Sequence, residues 1–433
     1  MAKKIKFQSP TGMSDVLPQK QRYFKKIYNS VADIADFYGF RKIDTPVLEE
    51  TELFTKGIGT ATDIVKKEMY NLKTKGGDYL TLRPEYTAPI VRAYIQNGMQ
   101  TLPQPVKLWY FGPCFRYERP QAGRYRQFWQ FGFEVLGEEN SVIDAQVIQI
   151  FYNILKELKL KNLIVEVNSI GCNQCRPYYK KMLSSYLRSR EASLCTECKR
   201  RLKENVLRIL DCKDEKCQAV KAEAPQILDH LCEGCSAHFK EVLEFLDEIE
   251  IPYRLNPYLV RGLDYYTKTV FEIFSDFESK KKDSEEILKQ IALAGGGRYD
   301  KLVKLLGGKE VSGFGGAVGV DRVVKIMIEQ NISRKPDDVQ VFLAQIGNLA
   351  KRKSLKLLDD FRKAKIKVVE SFGRDSLKAQ LSRSDRIGAK YTLVIGQKEA
   401  LEETIIIRDM KTGNQSIVKL EKVVNEIKKK LKS

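Results

Sequence analysis

Histidine is nearly missing from this chain of 433 residues, which has only His230 and His238. Both fall in a cysteine-rich stretch, so chemistry built on a histidine base, such as Ser/His or Cys/His nucleophilic catalysis, is disfavoured. Reactions driven by positioning and charge remain, attack on a phosphate among them. Long apolar runs are lacking too, and no segment reads as a membrane span. The basic start Met1-Ala2-Lys3-Lys4-Ile5-Lys6-Phe7 lacks the apolar region of a secretory signal, so a cytoplasmic location is the expectation. Acidic residues are in deficit, 56 against 75 Lys and Arg, for a net charge of +19. That surplus favours an anionic partner such as nucleic acid, although solubility alone can also produce it. With 43% hydrophobic and 30% charged residues, the length should hold two or three domains.

What is present is densest in Phe115–Gly137, FRYERPQAGRYRQFWQFGFEVLG. Pro120 and Gly123 mark a turn. Alternation through Phe128, Trp129, Gln130, Phe131, Phe133 and Glu134 marks a returning strand. The stretch therefore predicts a long antiparallel hairpin with a basic loop, Arg116 on one arm and Gln130 and Glu134 on the other. Residues 130, 132 and 134 share a strand face, and an amide, a gap and a carboxylate suit a small polar ligand better than a core. A hairpin with a solvated face is the plain alternative. Arginines and aromatics packed this densely favour a nucleotide or nucleic-acid site.

Earlier in the chain, residues 18–39 have helical spacing, with Tyr23, Phe24, Ile27, Val31, Ile34 and Phe37 on one side. Arg41–Leu48 reads as a short strand with Pro46 inside it, which suits an edge or bulge. Lys67–Glu85 predicts a hairpin turning at Gly76-Gly77, and Glu85-Tyr86-Thr87 opens a helix that Glu85 could simply cap. Ser141–Leu158 reads as another helix.

Between residues 169 and 245 the character changes, and eight of the nine cysteines fall there. They come as Cys172/Cys175, Cys195/Cys198, Cys212/Cys217 and Cys232/Cys235. The first two pairs stand at the separation of a four-thiolate zinc site, so Cys172, Cys175, Cys195 and Cys198 are the candidate ligands of a structural zinc, with buried free thiols as the alternative. Farther on come RGLDYYT at 261–267, a strand over Thr269–Phe274, a charged loop near 275–287, GGRYD at 296–300 and GFGGAVGVDR at 313–322. Glycine-rich strands let a ligand lie close to the backbone. Arg322 opens a helix, where backbone donors already favour anions. Beyond a boundary near 333–338, strands and helices alternate to the end and predict a small α/β domain with a mixed sheet and a basic surplus that suits RNA.

Together these segments resemble histidyl-tRNA synthetase, a class II aminoacyl-tRNA synthetase family, over nearly the whole chain. Arg41–Leu53 looks like the family's dimer-interface motif, FRYERPQAGRYRQFWQFGFE like its ATP-binding hairpin, and GFGGAVGVDR like its third class II motif. RGLDYYT and GGRYD are the histidine-specific segments. The resemblance implies an α+β catalytic core, an antiparallel sheet flanked by helices, over 1–168 and 246–332. It also implies a small helical Cys-rich insertion at 169–245 and an anticodon-binding α/β domain at 336–433.

The implied activity is ligation of L-histidine to tRNA through a histidyl-adenylate, with ATP and magnesium, in a homodimer. By the same resemblance Arg116 and Arg261 act on the α-phosphate, and Arg116 and Arg322 bind ATP. Glu85, Thr87 and Gln130 take the amino group of histidine. Glu134 and Tyr266 bracket the imidazole, and Tyr265 and Tyr299 shape the pocket. Arg119, Gln121 and Arg124 meet the acceptor end of the tRNA, and no metal is expected in the active site beyond that with ATP. Tyr86 stands where the family has a small residue, and strand alternation should turn it away from the pocket. The rival reading is a non-catalytic, histidine-sensing regulatory subunit of histidine biosynthesis, which shares the core but would be expected to lose ATP or tRNA features.

Overall fold

The helical spacing after Leu17 becomes a helix over Pro18–Phe37 in a computed structural model that describes residues 7–120, 123–279, 287–330, 332, 339–373 and 376–431. Tyr23, Phe24, Ile27, Val31 and Ile34 are buried on one side of it, but Phe37 is 81% exposed. The chain divides into two units, Met1–Ser333 and Arg334–Ser433.

The first unit carries β1 (Arg41–Lys42), β2 (Leu48–Glu50), β3 (Tyr70–Lys73), β4 (Tyr79–Leu82), β5 (Val106–Phe115), β6 (Gln127–Leu136), β7 (Leu163–Ser169), β8 (Tyr253–Leu255), β9 (Thr267–Ser279), β10 (Ile287–Arg298) and β11 (Gly313–Gly319). An eight-stranded sheet runs β1-β5-β6-β11-β10-β9-β7-β8, and β2-β4-β3 form a three-stranded one. The large sheet is antiparallel inside, and its edge pairs β1–β5 and β7–β8 are parallel. Helix Val142–Glu157 covers one face. Its Phe151 packs on Phe131, Phe133 and Phe271, and Phe271 on Phe314, a core of side chains that alternate inward from three strands.

Two sequence expectations change. Arg41–Leu48 is not one strand: β1 joins the large sheet and β2 the small one. The break falls at Thr45-Pro46, whose carbonyls accept from the buried Arg83 guanidinium at 2.6 and 3.2 Å. Pro46 has no N–H for a ladder, and the cation takes the carbonyls a ladder would use. The charged loop near 275–287 is also shorter than its composition suggests, because β9 reaches Ser279 and β10 begins at Ile287. Residues 280–286 and the 333–338 boundary lie outside the described residues.

Between β7 and β8 the chain forms helices Cys175–Arg188, Thr196–Glu204, Glu215–Ala222 and Glu233–Glu248. The second unit holds β12 (Val341–Gln345), β13 (Val368–Glu370), β14 (Tyr391–Ile395), β15 (Thr404–Asp409) and β16 (Gln415–Lys419), in the order β13-β12-β14-β15-β16. Its first three spatial neighbours are parallel and the last pairs antiparallel. That mixed sheet with helices between its strands is what the alternating pattern predicts.

Candidate functional site

Cross-strand partners point their side chains the same way, so the register decides which groups can meet. Gly112 pairs with Gln130, Tyr110 with Gly132, Glu134 with Gly315, Ala317 with Gly295, and Gly295 with Glu272. One sheet face therefore gathers Tyr110, Gln130, Glu134, Gly315, Ala317, Gly295, Gly297 and Glu272. Over it, the 84–87 turn, the 116–125 loop, the 261–266 segment and the start of helix Val320–Glu329 enclose a cavity.

Four cations stand on its wall: Arg116, Arg124, Arg261 and Arg322. Arg116 donates its Nε to the Pro84 carbonyl at 2.9 Å and lies over the Phe128 ring. Arg322 donates to the carbonyls of Gly123 (3.2 Å) and Ala292 (2.9 Å). Burial lowers its proton affinity, and repulsion from Arg124, Arg116 and Arg261 lowers it further, the mark of a site built for polyanions. Arg261 pairs with Glu272, while its buried Nε has no partner among the described residues. Arg124 pairs with Glu118 at 3.5 Å. Arg119 is exposed on the neighbouring loop, and Gln121 lies outside the described residues.

Other polar residues of the lining are buried: Glu85, Thr87, Tyr265 and Tyr266. Both oxygens of Glu85 accept backbone N–H groups, Thr87 at 2.6 Å and Ala88 at 2.9 Å, so Glu85 does cap helix Thr87–Gln96. Burial pushes its proton affinity up, and those two amides oppose the shift. A carboxylate has about four lone-pair sites, so capping leaves room for a ligand cation. Thr87 Oγ1 donates to Glu134 at 2.7 Å. Gln130 Oε1 accepts from Cys114 Sγ at 3.3 Å. Tyr265 and Tyr266 line the cavity with ring centroids 4.6 Å apart. Burial raises the proton affinity of both phenols above the ordinary tyrosine value.

Glu134 and Tyr299 sit behind this lining. Glu134 is fully buried, accepting from Thr87 on one oxygen and from the Tyr299 hydroxyl on the other. Burial pushes it up to about 8, the two hydroxyl donors opposing. Tyr86 contributes to the wall, but its hydroxyl bonds Arg83 and its ring lies flat on Tyr110 at 4.0 Å. The two histidines stand elsewhere: His238 bonds Asp144 at 2.9 Å, and His230 packs beside Tyr178 and Tyr179.

Sequence reasoning missed several members. Glu272, which neutralises Arg261, was visible only as one alternating residue of a strand. Asp321, whose carboxylate accepts the Trp129 amide at 2.7 Å, ties the hairpin to the helix bearing Arg322. Arg298 of GGRYD points away from the cavity, is fully buried and donates to Asp144 and to the carbonyls of Glu138 and Asn140.

The zinc expectation needs correction. Cys172, Cys175, Cys195 and Cys198 do not come together. The structure forms two separate quartets, Cys172/Cys175/Cys232/Cys235 and Cys195/Cys198/Cys212/Cys217. The intervening helix Cys175–Arg188 has 14 residues and at 1.5 Å per residue carries the chain about 21 Å before the second pair. The return into helix Glu233–Glu248 instead brings the last pair beside the first.

Comparison with known proteins gives consistent matches. The family model for histidyl-tRNA synthetase matches residues 12–323, and that for the anticodon binding domain matches 340–430. The histidine–tRNA ligase of Dehalococcoides mccartyi strain 195 is 43% identical over 98% of this chain and 100% of the relative. Apo Staphylococcus aureus histidyl-tRNA synthetase superposes with a TM-score of 0.80 at 34% identity, covering 98% of this chain and all of that one. A Bacillus halodurans structure described as an ATP phosphoribosyltransferase regulatory subunit/histidyl-tRNA synthetase shares the fold, with a TM-score of 0.63 at 22% identity over 91% of this chain and 99% of that one.

Proposed function

The chain belongs to the histidyl-tRNA synthetase family, and from that premise we propose that it ligates L-histidine to tRNA in two steps. The histidine carboxylate attacks the α-phosphorus of ATP in line, forming histidyl-adenylate and releasing pyrophosphate. A terminal ribose hydroxyl of the tRNA then attacks the adenylate carbonyl and releases AMP. Neither step needs a protein nucleophile, in keeping with a cavity that no histidine lines.

The observation that carries this reading is the meeting, in the lining of one cavity, of Arg116, Arg124, Arg261 and Arg322 with Glu85, Thr87, Gln130 and Tyr266. Arg116 and Arg261 hold the α-phosphate, where a fixed guanidinium stabilises charge that grows as the new P–O bond forms. Arg322 takes the γ-phosphate side. ATP enters as its magnesium complex. The histidine ammonium donates to Glu85, to Thr87, whose own proton is committed to Glu134, and to Gln130. Tyr266 addresses one ring nitrogen from the wall, and Glu134, which the unliganded wall covers, comes forward to the other as histidine binds. A site that must satisfy both rejects apolar side chains strongly. Tyr265 and Tyr299 hold these partners in shape. Arg119, Gln121 and Arg124 meet the acceptor end of the tRNA, and residues 336–433 its anticodon.

A second copy of the chain is the proposed partner. Phe37, Val47 and Leu48 leave exposed apolar surface on and beside the 41–53 segment. Sedimentation showing only monomer at working concentration would count against this. The proposed location is the cytoplasm; no described helix is long and apolar enough to cross a membrane. The test of the reaction is amino-acid-dependent exchange of pyrophosphate into ATP, with all twenty amino acids in parallel. Exchange with histidine alone is the expected result. Histidine binding without exchange would favour the regulatory reading instead.

A further inference from the structure

We propose that residues 172–235 hold two independent structural zinc ions, each bound by four cysteines. One site is Cys172, Cys175, Cys232 and Cys235; the other is Cys195, Cys198, Cys212 and Cys217. Within each set all ligand atoms lie within 4.8 Å of one another. The Sγ···Sγ distances include 3.9 Å (Cys172–Cys175), 3.7 Å (Cys172–Cys232), 3.8 Å (Cys175–Cys235) and 3.9 Å (Cys195–Cys212). A tetrahedron of sulfurs about 2.3 Å from a central zinc has edges of about 3.8 Å. A disulfide would need about 2.05 Å, and all eight of these thiols are free.

The surroundings suit thiolates. Backbone N–H groups of Cys172 and Gln174 donate to sulfurs of the first set at 3.2 and 3.3 Å. Those of Cys195, Cys198 and Asp214 donate to the second at 3.3, 3.4 and 3.5 Å. Such outer donors orient and stabilise ligating sulfur. Gly171 has φ +67°, and a Cβ there would come within 2.7 Å of Cys175 Sγ, so the backbone turns closely around the first site. Soft thiolates select zinc over hard cations, and four protein ligands leave no open position for catalysis.

The two sites staple the insertion at different depths. The first joins the chain just after β7 to the start of helix Glu233–Glu248, across a separation of 60 residues. Beside it, Gly171 and Ile170 exchange backbone hydrogen bonds with Lys268 at 2.9 and 2.8 Å. The second closes a local knot, between whose halves Asn205 donates to Asp264 at 2.9 Å. Both therefore adjoin the segment that carries Arg261, Tyr265 and Tyr266.

The test uses the full chain, expressed with zinc supplied and kept reduced throughout. Elemental analysis should give about two zinc per chain, and titration with a mercurial should release them in two steps. Cys232→Ser and Cys212→Ser should each retain about one. Cobalt-substituted protein should show the absorption of tetrahedral cobalt–thiolate, a reading that does not depend on any variant folding. Less than half a zinc per chain in the parent protein would overturn the proposal. So would loss of a single shared metal in both Cys172→Ser and Cys195→Ser, which would return the ligands to one mixed site.

Discussion

Replacing Gly295 with Ala tests the phosphate chemistry at one atom. A Cβ at this position would stand 2.6 Å from both terminal nitrogens of Arg261 and 2.7 Å from its Cζ, whereas ordinary contact starts at 3.4 Å. The guanidinium must retreat by about 0.8 Å. It can do so, because it is the far end of a flexible side chain, so the fold should survive. A misplacement of about 1 Å at a reacting centre costs about 100-fold in rate, near the 10²–10³ that follows loss of one preorganised transition-state donor. Gly295→Ala should therefore lower kcat for histidine-dependent pyrophosphate exchange by about 30- to 100-fold. The thermal midpoint should move by less than about 3 °C, since the clash falls on the far end of a flexible side chain and not on backbone. Gly296→Ala is the contrasting case: its Cβ would meet the Gly315 carbonyl oxygen at 2.1 Å, backbone against backbone, so the sheet itself must distort and stability should fall. Gly295→Ala protein that exchanges within twofold of the parent would refute the placement of Arg261 on the reacting phosphate.

Other perturbations read other parts of the site. Glu134→Ala should abolish histidine activation while leaving ATP binding measurable by equilibrium dialysis. In the unliganded protein Glu134 is raised from the ordinary carboxylate range to about 8, so the folded state holds a proton that the unfolded chain gives up near pH 4.5. Its stabilising contribution is whole below that pH and is lost as pH rises to about 8, with a slope of at most about 1.4 kcal/mol per pH unit; urea unfolding of Glu134→Gln at pH 5, 6.5 and 8 should lack this component. Arg298→Met leaves Asp144 buried with only His238 beside it and should cost about 3–5 kcal/mol in unfolding free energy, with its main effect on melting rather than on KM for histidine. Arg119→Ala should raise KM for tRNA in aminoacylation several-fold and leave pyrophosphate exchange unchanged.

Legibility in the sequence followed the range of the interactions. Alternation along the 127–136 strand was enough to place Gln130 and Glu134 on the face that the register assembles, because strand periodicity is local. What alternation could not show was that Thr87 and Tyr299, 47 and 165 residues from Glu134, would bury that carboxylate behind the wall. Arg298 had the same difficulty. An isolated arginine reads as surface, and its acidic partner Asp144 lies 154 residues away. For the cysteines, spacing identified the pairs but not the quartets, since ligand grouping depends on how intervening helices fold back. Arg41–Leu48 was misread because the group that breaks it, Arg83, belongs to another hairpin.

The glycines of β10 and β11 explain why so much chemistry fits on one sheet face. Gly295 leaves the space that Arg261 fills, Gly297 the space against Tyr266, and Gly315 the space for Glu134, to which a Cβ would approach within 1.8 Å. Any side chain at these positions would displace a cation, an aromatic wall or a buried carboxylate. On the reverse face Gly316 leaves room for Phe151 of the covering helix, which a Cβ would meet at 3.1 Å. Glycine weakens a strand by about 0.5–1 kcal/mol relative to alanine. Several in adjacent strands are tolerated here because β10 and β11 lie inside the sheet, paired on both sides. Placed at an edge, the same floor would fray, and the spacing between Arg261, Tyr266 and Glu134 would not hold.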